Sequence, residues 1–513
     1  MVRTKYGIPE KRSVFCRLFR MLVRRVLPAF TLSAVVFLSN VSVSRADMPY
    51  DTYSYNYWGE EVKEPHSYLY AGMISGKEIG TNLSYPADLF VAEDRLYVAD
   101  TGNSRILILS IDGMLLKEIG SGKDAADTLK NPQGIFVTGE GHLYVADTGN
   151  SRVVEYDENG NYIREIGRPV TTLISDGQEY SPTKVVVDGA GRIYVIAYGI
   201  NMGLVEFNSE GEFQGFMGAT QVSVSMFTYI WKNYFSTQAQ QDRMETIIPT
   251  EYSNIFVDNE SFIYATINNL SAEDRAAGAD AVRRLNPTGT DILRRLGQYP
   301  VIGDLEGVTF GWNYSSFVDV AATDYGCYFI LDETDGKIFA YDYDGISLFV
   351  FGRNGIREGN FQKPVSIGLS DDESRIYVLD NTLNSIYVFE ITEYGRHLLD
   401  AIRLNHMGDA QGSTREWQEV LKLNSNSELA YTGLGKTYLT EGNYKEAMEC
   451  FELGNSKKYY SKAFSYYRKE VMETYLTGAV IALVVLLFVI WLIRRIVRFR
   501  RWVGEVRCYM QKN

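Results

Sequence analysis

From Leu83 to Leu404 the chain runs as short apolar stretches separated by tight polar turns, and within the stretches apolar and polar side chains tend to alternate, which is the period of a β-strand. The stretches recur as one phrase. Leu96-Tyr97-Val98-Ala99-Asp100-Thr101-Gly102-Asn103-Ser104-Arg105 returns as Leu143-Tyr144-Val145-Ala146-Asp147-Thr148-Gly149-Asn150-Ser151-Arg152. Weaker copies run Ile193-Tyr194-Val195, Ile263-Tyr264-Ala265, Tyr328-Phe329-Ile330-Leu331-Asp332 and Ile376-Tyr377-Val378-Leu379-Asp380, making six. Turns such as Gly139-Glu140-Gly141, Asp188-Gly189-Ala190-Gly191 and Glu158-Asn159-Gly160 suit hairpins that need positive φ, and units close at Gly120, Gly167, Gly218, Gly297 and Gly352. Each unit reads as a four-stranded meander. Repeated at this spacing, such units predict blades around a channel: a mainly β chain built on a six-bladed β-propeller over residues 50–404, with a seven-bladed count left open. Tyr53 to Gly80 is expected to add a strand to the last blade, so that joining the two ends removes the free edges.

These phrases resemble the NHL-repeat family, whose blades carry Pro-x-Gly-Ile-x-Val, Leu-Tyr-Val-Ala-Asp and Asn-x-Arg elements. Asn131 to Gly167 matches with Pro132, Gly134, Ile135, Val137, Asp147, Asn150 and Arg152 in place; the likeness is strong in the first two units and weak in the fourth. It implies an NHL-type six-bladed propeller with Asp100, Asn103, Arg105, Asp147, Asn150, Arg152, Asp380 and Asn384 as its signature. The expected role of these residues is local turn hydrogen bonding by Asp and Asn, with Arg bracing the neighbouring blade. Two Asp-Thr-Gly triplets also suggest an aspartic-protease dyad, but they lie in adjacent units and each continues into Asn-Ser-Arg and another strand.

Beyond the repeats the period becomes helical, from near Ser413. Tyr431, Leu434, Gly435, Tyr438, Ala447 and Phe451 have the spacing of a tetratricopeptide repeat, which residues 427–460 resemble over one unit, with Gly454 and Tyr459 departing from it. A small TPR-like module is therefore expected over 407–474. Tyr475 to Ile493 carries no charge and is long enough to span a bilayer core of about 30 Å. Arg494, Arg495, Arg498, Arg500 and Arg501 follow it, and a basic flank of this kind stays cytoplasmic. This predicts a single-pass transmembrane helix at 475–493, a basic cytoplasmic tail at 494–513, and a cell-membrane protein with its propeller on the extracytoplasmic side. Residues 1–46, basic and then apolar from Val26 to Val43 before Ser44-Arg45-Ala46, read as a signal peptide or signal anchor.

Charge sharpens this division. The chain carries −13 overall, and removing the +8 leader and the +6 tail beyond Ile493 leaves a body at −27, which excludes nucleic acid as a partner. Cys327 and Cys450 are the body's only cysteines and set up no disulfide framework.

Long departures from the unit grammar fall between blades or between second and third strands, and therefore on one face; the largest, Ala219 to Thr246, holds Phe227, Tyr229, Trp231, Tyr234 and Phe235. These five are the candidate binding face, or else a lid over the channel. No phosphate loop, nucleophile elbow or His-Glu metal motif occurs, and no catalytic, cofactor-binding or metal-ligating residue is assigned. The expected function is a membrane-anchored extracytoplasmic binding or scaffold protein rather than an enzyme, engaging a carbohydrate, peptide or protein partner through the propeller or the TPR-like module. The alternative is a metal-dependent, lactonase-like propeller hydrolase or lyase, since such enzymes place carboxylate, Asn or His ligands around the channel. Asp100, Asp147, Asp332 and Asp380 recur and suit Ca2+, but no cofactor is expected.

Overall fold

The computed structural model describes residues 48–510 except 122–126, 175–176, 201, 219–251, 269, 271–278 and 306–313. Tyr50 onward forms one compact unit built on six sheets. The first blade orders its strands Asp88–Ala92, Arg95–Asp100, Arg105–Ser110 and Leu115–Ile119 from the axis outward, and five further blades repeat the pattern, starting at Gly134, Ser181, Asn254, Phe317 and Pro364. Among the described residues the fourth blade has three strands, Asn254–Val257, Ile263–Thr266 and Val282–Leu285. The six-bladed, mainly β expectation therefore holds. The turn glycines behave as their positions require: Gly141 (φ +84°) and Gly160 (φ +64°) take the left-handed conformation that closes their hairpins.

Ring closure uses three N-terminal strands. β1 (Tyr53–Tyr55) and β2 (Glu61–Lys63) extend the outer edge of the fifth blade, with Tyr53 opposite Val350. β3 (Tyr68–Ile74) lies antiparallel to Ser385–Ile391 as the fourth strand of the sixth blade, Ile74 opposite Ile386 and Tyr68 opposite Ile391. Tyr68 locks this joint. It is wholly buried, stacks on Phe351 of the fifth blade at 5.8 Å, and donates its hydroxyl to Glu373 O at 2.7 Å. Removing such a side chain from water contributes on the order of 2–3 kcal/mol. The placement of Tyr53 in the fifth blade follows from its neighbours, since its ring lies 5.3 Å from Lys337 Nζ and Tyr55 donates to Asp304 at 3.3 Å.

Five helices follow: α1 (Glu393–His406), α2 (Ala410–Leu423), α3 (Glu428–Glu441), α4 (Tyr444–Leu453) and α5 (Lys457–Met510). Helical structure thus begins at Glu393, ahead of Ser413. Thr392 caps α1 by accepting from Gly395 N, and the buried Leu398, Leu399, Ala401 and Ile402 form its inner face. These helices pack on the face where first-to-second and third-to-fourth strands turn, here the turn face. Arg396 donates to Asp372 O at 2.9 Å, Asn405 donates to Tyr343 Oη at 2.7 Å, and Lys436 lies 3.7 Å from Asp344. Inter-blade links occupy the opposite face, the link face.

Small residues let the helices approach. A Cβ on Gly435 would stand 2.7 Å from the Phe451 ring, and one on Gly433 would collide with Trp417. Leu434, Ala447 and Phe451 are buried, with Tyr438 packed against the last two. α5 is pinned to this group by its first turns: Ala463 is buried, Tyr459 stacks on Phe451 at 5.5 Å, and Tyr466 faces Tyr444 at 5.5 Å. Its 54 residues then run out about 80 Å at 1.5 Å each. Tyr475 to Ile493 is exposed throughout, and among the described residues α5 is the one helix long and apolar enough to cross a membrane.

Candidate functional site

Two layers of the channel carry polar chemistry. The signature aspartates form neither. Asp147 is wholly buried and accepts from Lys130 N at 2.7 Å, Asn150 Nδ2 at 2.8 Å and Arg152 Nε at 2.8 Å. Asp100 repeats this with Ser84 N at 2.7 Å, Asn103 at 2.9 Å and Arg105 at 2.7 Å. Asp380 accepts instead from the backbone of Gln362 at 2.7 Å and Lys363 at 3.0 Å, while Asn384 accepts from Tyr85 N at 2.7 Å. Each aspartate staples a second-to-third turn to the link entering its own blade. Each arginine pairs within its blade, Arg152 with Glu165 at 2.6 Å and Arg105 with Glu118 at 3.0 Å, and also holds the link arriving from the preceding blade, Arg152 donating to Thr128 O at 3.1 Å and Arg105 to Thr81 Oγ1 at 3.0 Å and Asn82 O at 3.1 Å. Threonine ties each turn to the entry of the next blade, Thr101 donating to Pro132 O at 2.7 Å and Thr148 to Pro182 O at 2.6 Å.

The layer at the axis comes from the innermost strands. Asp88, Gly134, Lys184, Asn254, Asp319 and Ser366 occupy one equivalent position, two residues after Pro86, Pro132, Pro182 and Pro364 in four of the six blades. Gly134 has a steric reason, since a Cβ there would collide with Thr183 O and stand 2.8 Å from Lys184 Cα. The other five form one network. Asp88 accepts from Lys184 Nζ at 2.6 Å and Ile135 N at 2.9 Å, and Ser366 Oγ lies 3.1 Å away. Asp319 accepts from Ser366 Oγ at 2.6 Å, Ile367 N at 2.7 Å, Val320 N at 2.7 Å and Asn254 Nδ2. A serine hydroxyl has one proton to give. The shorter contact assigns it to Asp319, and Leu89 N donates to the oxygen at 3.1 Å. Lys184 is paired with Asp88, and burial, against the pull of Lys184 and with the push of Asp88, raises Asp319 to about 6.

Between this ring and the turn face the channel widens into a cavity of about 910 Å³. Phe90, Phe136 and Phe256 line its walls, the first two edge to face at 5.1 Å. Its rim is acidic, with Glu140, Asp258, Asp324, Asp371 and Glu373. Burial pushes Glu373 up to about 7, with Arg403 and Arg396 pulling down and Asp324 and Asp372 pushing up. His142 Nδ1 lies 2.8 Å from Glu155, which Arg164 also holds at 2.6 Å. Burial opposes ionisation of Glu155, but the bonds from His142 and Arg164 prevail and keep it below the usual carboxylate range.

With this geometry in place, the chain is similar to known proteins in two respects. Residues 89–180 match the family described as SMP-30/Gluconolactonase/LRE-like region. Among solved structures, streptogramin B lyase is 11% identical and matches over 64% of this chain and 100% of its own, with a TM-score of 0.41. The Kuenenia stuttgartiensis hydrazine synthase is 14% identical over 60% and 84% (TM-score 0.35). A protein of unknown function from Bacteroides thetaiotaomicron VPI-5482 is 14% identical over 65% and 80% (TM-score 0.40). No curated protein matches the chain.

The channel ligands of a metal-dependent propeller can be tested against the axial ring. Asp88, Asn254, Asp319 and Ser366 offer oxygens suited to a hard cation, but the ammonium of Lys184 already stands 2.6 Å from Asp88 among them. As they stand, these residues do not fit a resident metal. Among the described residues no group of three or more His, Cys, Asp or Glu is placed to hold one. Sequence reading missed this ring because it followed the recurring aspartates; the signal was the position that varies behind a recurring proline. Phe227, Tyr229, Trp231, Tyr234 and Phe235 lie outside the described residues.

Proposed function

We propose that the chain is a membrane-anchored extracytoplasmic binding or scaffold protein, with an NHL-type propeller carried on a TPR-like helical stalk. The observation that carries this reading is the division of the two faces. The stalk and α5 take the turn face, and on the link face Tyr85, Val170, Leu173, Tyr198 and Ile356 hold large apolar side chains in solvent, Ile356 at 96% exposure. Exposed apolar side chains beside long links are what a docking face offers. A photocrosslinking residue at Ile356, in the full chain in its native membrane, is expected to capture a protein partner that the same residue at Asn159, in a turn-face hairpin, does not. Equal capture at both sites, or at neither, counts against the link face.

Orientation has a native probe in Cys508, which is exposed. In sealed cells a membrane-impermeant maleimide is expected to leave Cys508 unlabelled until permeabilisation, while a cysteine introduced by Asn159→Cys reacts at once. Labelling of Cys508 in sealed cells reverses the assignment.

A second reading, a lactone-opening propeller enzyme, is supported by the match over residues 89–180. Lactone hydrolysis assayed with Ca2+, Mn2+ and Zn2+ tests it. The axial lysine weighs against it.

A further inference from the structure

A propeller axis brings six inner strands to one point, and whatever stands there is fixed by six backbones at once. In this chain five of the six axial residues are polar, and four of them are nearly sealed from water: Asp88 is 6% exposed, Asn254 2%, Asp319 5% and Ser366 0%. Two carboxylates held this close and this deep repel one another and lose hydration, and a positive charge beside them offsets both costs. That charge is supplied from the third blade. Lys184 Nζ lies 2.6 Å from Asp88 Oδ1, and Ser366 links Asp88 to Asp319 through contacts of 3.1 and 2.6 Å. The preceding blade carries glycine at this position, Gly134, and so lets the third blade's backbone come close, since any Cβ there would meet Thr183 O and Lys184 Cα.

We infer that Lys184 is a tethered cation: Asp88, Asn254, Asp319 and Ser366 form a small-cation site that the chain fills from within, and a free cation enters it only when the lysine side chain is removed. The native axis is then charge-complete without metal, and it acts as a structural plug forming the floor of the cavity. This inference rests on neither the membrane orientation nor the partner proposed above; failure of either of those leaves it standing, and its own failure leaves them standing.

The test uses the full chain in detergent. The wild type is expected to melt at one temperature with or without chelator, and with or without millimolar Ca2+ or ethylammonium. Lys184→Ala is expected to melt about 5–10 °C lower, because it strands a buried carboxylate pair. Millimolar ethylammonium, which restores the missing group, or Ca2+, which replaces it with an oxygen-bound ion, should recover at least half of that loss. Recovery by ethylammonium alone marks the site as an ammonium site, and recovery by Ca2+ marks it as a latent metal site; either supports the inference. The double variant Lys184→Ala/Asp88→Asn, with the repulsion removed, should melt nearer the wild type and ignore both cations. A wild-type melt that falls with chelator overturns the inference. So does a Lys184→Ala chain indifferent to both cations. If Lys184→Ala does not accumulate as folded protein, recovery of folded chain in the double variant supports the charge argument; failure of both shows that the lysine serves by its packing alone, which also overturns it.

Discussion

Asp147→Ala is expected to cost about 3–5 kcal/mol of folding stability, the range for removing one partner of a buried ion pair. The carboxylate is wholly buried and serves three donors, of which the Arg152 guanidinium is the costly one to abandon because the residue is itself only 9% exposed. Glu165 at 2.6 Å remains as its carboxylate, but Glu165 is half in solvent and screens poorly inward. Replacing both partners, in Asp147→Ala/Arg152→Met, should lose less than the two single changes together, since no charge is then left stranded. Thermal melts of the full chain in detergent check both statements. A loss under about 1 kcal/mol for Asp147→Ala would mean that the turn keeps its shape without the staple.

That staple also shows why so much of the fold could be read in advance. Asp147, Asn150 and Arg152 act within one turn and the link feeding it, so a local phrase is enough to encode them, and every blade that repeats the phrase repeats the geometry. The six-blade count and the long apolar helix were legible for the same reason: each depends on near neighbours. Closure was half legible. β3 joins the sixth blade as its pattern suggests, whereas the placement of Tyr53 and Tyr55 on the fifth blade depends on Lys337 and Asp304, far along the chain. The axial ring is the extreme case. Asp88, Lys184, Asp319 and Ser366 come from four different blades, and the proline that precedes three of them marks the position without naming its partners, so only the fold brings them together. The start of α1 was illegible for another reason: the strand Ser385–Ile391 runs into it with one capping residue between, and the two periods overlap.

The chain should lose stability as pH rises from 5 towards 8. Burial lifts Asp319, Asp332 and Asp342 to about 6 and Glu373 to about 7, in each case against partly compensating donors or cations. A carboxyl whose folded value is raised keeps its proton in the folded state after the unfolded chain has released it. Its contribution is therefore fully present below the ordinary carboxylate range and is lost as pH climbs through 6 and 7. Below the ordinary carboxylate range an opposing loss sets in, because Glu155, held low by His142 and Arg164 despite its burial, must take up a proton and release both partners. Glu373 isolates one share of the alkaline fall. It lines the cavity beneath α1, with Arg403 of that helix 3.9 Å away, too far to hold its charge in place. Glu373→Gln mimics the protonated form at every pH. It should match the wild type near pH 5 and exceed it at pH 8 by at most about 3 kcal/mol, the worth of a shift of this size. Melts across pH 4 to 8 decide the sign: a glutamine variant less stable than the wild type at pH 8 would show that the ionised carboxylate, paired with Arg403, holds the helices to the propeller.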